Sequence, residues 1–397
     1  MHIGLLGSDA RMAEIVAAAI RRQDRVVATW GIDDTHLPRV ASWESLLDPA
    51  TCDVVLVGSD GWDPSRADAV RALVQAGRPL VLAQPLELSM LWAYELDMIR
   101  RDTGSLLIPC LPERLHPFVG RLRETITAAL AGVGDQGPAE SLLLERRMPE
   151  RTRDAVLSQL SRDADLIRAI VGDPTRLSTL GSASPDSAWN TLAVGFTSPT
   201  QLPVRWQVAP GTESGLTLRL QAARSAVVVD APDDSARPWT WSGTAVDVAS
   251  FDRGATMLAV IDRTLAGKAA VADDGEAATW ADAARAIELA ETVPRSLARG
   301  RAIDLHREEF SEMGTFRGTM ASLGCGLIMA ALMVIVVATL LAGIAQEFGW
   351  KIVGTVADSW PMIVLVVLGI FLTLQLLPLL VGADRNDDGP AAPDGGT

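Results

Sequence analysis

The segment Gly77 to Leu86, GRPLVLAQPL, contains a run without a polar face, LVLA from Leu80 to Ala83, that stops at Gln84-Pro85. A strand with one wet face alternates apolar and polar residues, whereas a short unbroken apolar run bounded by Gly and Pro suits a strand covered on both faces of a parallel sheet. Parallel strands need long crossovers, which narrows the possible topologies sharply. Runs of the same kind occur at His2 to Leu6, Arg25 to Trp30, Asp53 to Val57 and Leu106 to Cys110. Helical patterns fall between them: Met12, Ile15, Val16, Ala19 and Ile20 at three-four spacing, then Ala67 to Ala76 and Leu88 to Arg101. This alternation predicts an α/β Rossmann-like domain over residues 1–112. Its strand ends would face a ligand crevice, which places Gln84 at the crevice edge.

Dinucleotide binding at such a strand–turn–helix opening needs three glycines, for the tight turn, for close approach of the pyrophosphate and for helix–strand packing. Gly7 fits the first position, Asp9 stands at the second and Met12 at the third. A carboxylate repels an anionic pyrophosphate, and Met12 is expected to hold the helix away from the sheet. After the second strand, Trp30 and Gly31 occupy the place of the ribose-binding acid, with Asp33 and Asp34 further on. Trp30 reads as a packing residue whose ring reaches the adenosine region. The third strand ends in the turn Gly58-Ser59-Asp60-Gly61-Trp62. No cofactor is expected; if the site is retained, NAD or NADP would meet Gly7, Ser8, Asp9, Trp30, Ser59 and Gln84.

GRPLVLAQPL resembles the Gly-Lys-His-Val-Leu-Cys-Glu-Lys-Pro stretch of the Gfo/Idh/MocA oxidoreductases, with Ala83 at the family's Glu and Gln84 at its Lys. Arg114-Leu115-His116-Pro117 resembles the family's Arg-Phe-His-Pro element. The helical pattern from Ala155 to Val171 ends in Gly172-Asp173-Pro174, and the family's Asp-x-x-x-His-x-x-Asp then falls on Ser158, Arg162 and Asp165. A helical stripe of Ala283, Ala286, Ala290, Val293 and Leu297 resembles the family's closing helix. The resemblance spans roughly residues 1–304 and implies a nicotinamide-dependent oxidoreductase in which the Lys and His do the proton chemistry. Gln84 has no proton to give near neutral pH, and Arg162 is always protonated and cannot be a base. Of these family positions only Asp165 keeps its residue, so no catalytic residue is expected at Gln84, Ser158, Arg162 or Asp165. Arg162 retains the capacity to bind an anion, and Arg114 reads as a tie between domains. His116, beside a proline at a helix start, reads as structural.

After residue 113 the pattern changes. Ser141 to Arg147, LSTLGSA, NTLAVGFT, VRWQVAP, LTLRLQAA, SAVVVDA and TWSG are strand-like and separated by Gly, Pro and Ser turns. They predict an α+β domain over 113–304 with a mostly antiparallel sheet, which the resemblance makes a substrate wall and a homo-oligomer interface. Phe251 to Gly267 and Trp280 to Arg299 are helical.

No charge occurs between Arg317 and Glu347, and the run Leu323 to Ala345 is long enough to span a bilayer. With a second uncharged run it predicts two transmembrane α-helices, at 318–346 and 359–383, forming a hairpin within 305–383. Ser322, Gly326 and Ala330 allow close helix approach, and Trp350 and Trp360 suit the interfacial belt. Arg295, Arg299, Arg301, Arg307 and Arg317 precede the first span and only Lys351 lies in the short loop, so the body and a disordered tail, 384–397, are expected in the cytoplasm. The N-terminal MHIGLLGSDARMAE lacks the basic and apolar regions of a secretory signal and reads as a strand.

A formal net charge of -14 and a pI near 4.8 argue against nucleic acid as a partner. Cys52, Cys110 and Cys325 have no CxxC spacing, and His2, His36, His116 and His306 are scattered, so neither a disulfide framework nor a metal site is expected. The combined reading is a membrane-anchored pseudo-oxidoreductase that binds a ligand or partner. The alternatives are a divergent NAD(P)-dependent oxidoreductase of sugars or polyols, working through Asp165 or His116, and a membrane assembly protein.

Overall fold

The structure is a computed structural model that describes residues 1–32, 36–133, 136–181, 189–242, 251–267, 277–305 and 333. Apart from Met333, the two apolar runs 318–346 and 359–383, the tail 384–397, and also Asp33 and Asp34, lie outside the described residues. No helix among the described residues is long and apolar enough to cross a membrane. The chain divides into two compact units, Met1–Arg307 and Glu308–Thr397.

The first unit opens with β1 (His2–Leu6), α1 (Ala10–Arg21), β2 (Arg25–Trp30), β3 (Val54–Val57), α2 (Pro64–Gln75), β4 (Leu80–Ala83), α3 (Met90–Thr103) and β5 (Leu107–Cys110). These strands form one parallel sheet in the order β2-β1-β3-β4-β5. All four residues of β4 are buried, as an apolar run covered on both faces requires. The order reverses between β1 and β3, so the turns after these two strands meet at the switch point where ligands of such sheets bind. Asp9, Asp63 and Ser89 start the three helices by accepting backbone N–H bonds. Met12, expected to hold α1 off the sheet, is 1% exposed and part of the core. Its unbranched side chain fills the space that a glycine would leave.

The chain continues through α4 (Pro117–Leu130), β6 (Ala139–Met148), α5 (Arg153–Val171), β7 (Arg176–Leu180), β8 (Ala193–Thr197), β9 (Pro203–Pro210), β10 (Gly215–Ala222), β11 (Ala226–Pro232) and β12 (Thr240–Ser242). Then come α6 (Arg253–Leu265), α7 (Trp280–Arg299) and β13 (Ile303–Asp304). The second sheet runs β12-β11-β10-β6-β9-β8-β7-β13, and only β6 and β9 pair in parallel. It is the mostly antiparallel sheet that the turn-separated alternation predicts. Val156, Leu160, Ala164 and Ile167 of α5 join Leu142, Leu144, Trp206 and Leu218 of the sheet in one core.

The boundary expected near residue 112 falls inside the first unit. α6 packs on α1, and its Met257, Leu258, Val260 and Ile261 belong to the core of the parallel sheet. A Cβ on Gly254 would lie 2.2 Å from the carbonyl oxygen of Glu14, so this contact is backbone-close. α7 gives Trp280, Ala283 and Ile287 to the first core and Ala286, Leu289 and Val293 to the second. One helix, with a wide apolar stripe, thus closes both layers.

Candidate functional site

The turn after β1 carries Gly7 at a φ of +70°, Ser8 and Asp9. Gly7 donates its N–H to the Trp30 carbonyl at 2.8 Å, which ties this turn to the end of β2. Trp30 itself is half-buried and packs against the first core. The Asp9 carboxylate accepts from Met12 N at 2.8 Å, and from Ser59 N and Oγ at 3.3 and 3.1 Å. Asp60 N donates to the Ser8 carbonyl at 2.9 Å, and a Cβ on Gly58 would lie 2.2 Å from the Ser8 carbonyl carbon. The turns after β1 and β3 are therefore bonded to each other directly.

Arg66, on the first turn of α2, lies over the same turns and is only 7% exposed. A Cβ on Gly7 would be 2.5 Å from its Nη1, and Cβ atoms on Gly31 and Gly61 would be 3.5 and 3.7 Å from its Nη2. Its guanidinium donates to the Asp60 carbonyl, and Nε is buried without a partner. A dinucleotide would need the space above Gly7 and the free N–H groups at the start of α1. Arg66 covers that space and Asp9 takes the N–H of Met12. In this conformation the residues do not fit the cofactor.

Gln84 is 2% exposed, and its Nε2 donates to the Ala283 carbonyl at 3.2 Å. Arg162 reaches across from α5, giving Nε to the Gln84 carbonyl at 2.6 Å and Nη1 to Gln159 Oε1 at 3.3 Å. Burial lowers the Arg162 pKa to about 10, with Arg11 pushing the same way and Glu113 and Asp9 opposing. It remains a cation at neutral pH. Asp165, 1% exposed, accepts from Arg114 Nη1 at 2.8 Å and lies 3.9 Å from Arg168. Burial raises its pKa to about 6 against the pull of Arg114 and Arg168. Ser158, one turn before Arg162, is half-buried. Gln84 and Arg162 are thus brought together, while Asp165 is committed to Arg114.

His116 is the N-cap of α4: its Nδ1 accepts from Phe118 N at 3.1 Å, which assigns the ring proton to Nε2. The ring stacks on Trp239 with centroids 4.0 Å apart. Burial, then Arg253, lowers its pKa to about 4, so it is a neutral structural ring.

Below Gln84 lies a set of charges that the sequence did not reveal. Arg11 Nη2 meets Glu113 Oε1 at 2.7 Å. Arg146 of β6 binds Asp163 through Nε at 2.8 Å and Asp233 through Nη1 at 2.7 Å. Trp206 Nε1 donates to Asp163 at 2.8 Å, and Arg253 Nη1 donates to the Asp233 carbonyl at 2.7 Å. All of these except Trp206 line a cavity of about 20 Å³, together with Gln159 and Arg162. Asp163 alone carried a signal, because it interrupts the stripe of Val156, Leu160 and Ile167 on the buried face of α5. Among the described residues no group of His, Cys, Asp and Glu could hold a metal ion. The arrangement offers buried cations, and its one carboxylate raised toward neutrality, Asp165, is held by Arg114.

No protein-family model and no curated protein matches the sequence. Solved structures do match. A myo-inositol dehydrogenase from Corynebacterium glutamicum aligns at 15% identity and a TM-score of 0.57, over 77% of this chain and 99% of that one. GenD2 from gentamicin A biosynthesis, in complex with NAD, aligns at 16% identity and 0.57, over 77% and 96%. The WlbA dehydrogenase from Chromobacterium violaceum, in complex with NADH and UDP-GlcNAcA, aligns at 13% identity and 0.60, over 78% and 96%. Together they establish that the chain has the fold of the Gfo/Idh/MocA-type NAD(P)-dependent oxidoreductases.

Proposed function

We propose that this chain is a membrane-anchored binding protein that keeps an oxidoreductase fold without transferring hydride. The observation that carries the reading is the Asp9 carboxylate bonded to Met12 N and Ser59, on the spot where the fold would place a pyrophosphate. Arg66 over Gly7 supports it, as do Gln84 and Arg162 in place of groups that move protons. The test is calorimetric titration of the full-length chain in detergent with NAD(H) and NADP(H). No heat at millimolar dinucleotide, about -4 kcal/mol of binding free energy, is expected. Micromolar binding with turnover of any sugar or polyol would overturn the reading.

A divergent oxidoreductase of sugars or polyols is the second reading, favoured by the fold's likeness to structures in complex with NAD and NADH. It requires Arg66 to leave Gly7 and Asp9 to release Ser59 when the cofactor enters. Asp165, buried and titrating near 6, would be its proton-handling group. The same titration decides between the two.

The anchor would be the hairpin 318–346 and 359–383, with the body and tail on the cytoplasmic face, as the arginine bias indicates. A reporter fused after Thr397 is expected to be active only in the cytoplasm. Self-association would use the outer face of the second sheet, where Leu180 is 70% exposed near Ser178, Gly195 and Arg205. Light scattering of the detergent-solubilised chain, before and after Leu180→Glu, tests it.

A further inference from the structure

Arg11 and Arg162 line one cavity of about 20 Å³. Arg11 spends Nη2 on Glu113, while its Nη1 is buried without a partner. Arg162 spends Nε on the Gln84 carbonyl and Nη1 on Gln159, both uncharged acceptors. Among the described residues no carboxylate is paired with it. The acids around the cavity are engaged elsewhere: Glu113 by Arg11, and Asp163 and Asp233 by Arg146. Two guanidinium groups therefore face one small space in which no carboxylate is bonded to Arg162; Arg11 works against its charge, and Glu113 and Asp9 offset this only in part. A buried cation without a counter-charge is expensive, and an unmet buried donor adds to the cost.

We infer that this cavity is an anion site, which holds a monovalent anion of halide size between Arg11 and Arg162. A volume of about 20 Å³ admits one occupant the size of a water molecule, which excludes a sugar ring or a phosphate. A water would satisfy hydrogen bonds but not the charge. Charge-assisted bonds from two guanidinium groups satisfy both. The source is a free halide, since a water-sized space takes neither formate nor the carboxylate end of a larger ligand. The inference deepens the binding reading and rests on it for its biological meaning; the site itself stands on the geometry.

The test uses the full-length chain in detergent at constant ionic strength, with gluconate as the balancing anion. Chloride and formate are titrated separately, with chloride NMR line width and melting temperature as readouts. Saturable broadening and a saturable rise in melting temperature with chloride support the site, and formate, too large for the space, is expected to give no saturable response. Arg162→Gln is expected to weaken chloride at least about tenfold, while Arg162→Lys keeps part of the affinity. Should Arg162→Gln not fold, Arg11→Gln carries the same expectation. Non-saturating responses that are equal for all salts, or unchanged affinity in both variants, would overturn the site. The dinucleotide titration runs on the same samples, so loss of the chloride response leaves that result standing. Dinucleotide binding with an intact chloride response would remove only the binding reading.

Discussion

The carboxylate of Asp9 accepts two hydrogen bonds from Ser59, from its N–H at 3.3 Å and its hydroxyl at 3.1 Å, while it also caps α1 through Met12 N at 2.8 Å. One side chain thereby locks the turn after β1 to the turn after β3. Losing an Asp cap costs about 1 kcal/mol, and each further hydrogen bond about as much. Asp9→Ala is therefore expected to lower stability by about 1–3 kcal/mol, seen as a lower denaturant midpoint at unchanged slope. Asp9→Asn should retain most of the cap.

If Asp9 and Arg66 are what closes the crevice, removing both should open it. Asp9→Gly with Arg66→Ala leaves Gly7 uncovered and frees the start of α1 for an anion. NADH affinity should then improve at least about tenfold over the parent chain, by calorimetry or Trp fluorescence. A double variant that folds and shows no gain would mean that the Gly58–Ser8 contact, or Trp30 and Gly31 at the place of a ribose-binding acid, is the real obstacle.

His116 supplies the clearest acid lability. Its folded pKa, about 4, lies below the ordinary histidine value of 6.5, so between these values the unfolded chain binds a proton that the native chain refuses. The stabilisation is complete above about 6.5 and is lost as pH falls through about 4. His116→Asn keeps an N-cap acceptor and removes the titration. Its melting temperature should fall less steeply than the parent's across that window.

The parallel sheet was legible because both-face burial leaves unbroken runs such as LVLA, and the antiparallel sheet because its strands alternate. Gln84 and Arg162 were placed by the resemblance, and the structure joins them through a hydrogen bond to a main-chain carbonyl. Arg66 was not legible: it follows the Asp63-Pro64 helix start like any surface arginine, and only the tertiary contact puts it over Gly7. Arg11 and Glu113 meet across 102 positions, and Arg146 and Asp233 across 87. No local period encodes such pairs. That α6 covers the parallel sheet was not legible for the same reason, since its apolar stripe does not say which sheet it covers.

Arg114 holds Asp165 at 2.8 Å, with Arg168 at 3.9 Å and Asp282 adding repulsion. Arg114→Met removes the nearest cation from a buried carboxylate, a change worth about 3–5 kcal/mol at neutral pH. Burial already raises the Asp165 pKa to about 6, and the variant should raise it further. A raised native pKa favours the fold at low pH and is lost as pH rises through it. The deficit of Arg114→Met should accordingly shrink toward pH 4, as read by denaturant midpoints across the range.

A lysine at position 84, where the resemblance to the Gfo/Idh/MocA oxidoreductases would put one, is the sharpest test of the proposed absence of hydride chemistry. Gln84 is 2% exposed, its amide donates to the Ala283 carbonyl, and its own carbonyl is held by Arg162. Gln84→Lys would place an ammonium in a site already occupied by one poorly compensated cation. Its charged form would face Arg162 in low dielectric, so the lysine pKa should drop and the fold should lose about 2–4 kcal/mol. Pairing it with Arg162→His relieves the repulsion and rebuilds the family's Lys and His together. The double variant should recover most of the lost stability and still show no nicotinamide-dependent turnover, because Asp9 and Arg66 keep the crevice closed. Turnover in the double variant, measured by NADH absorbance with polyol substrates, would show that the cofactor enters in spite of them.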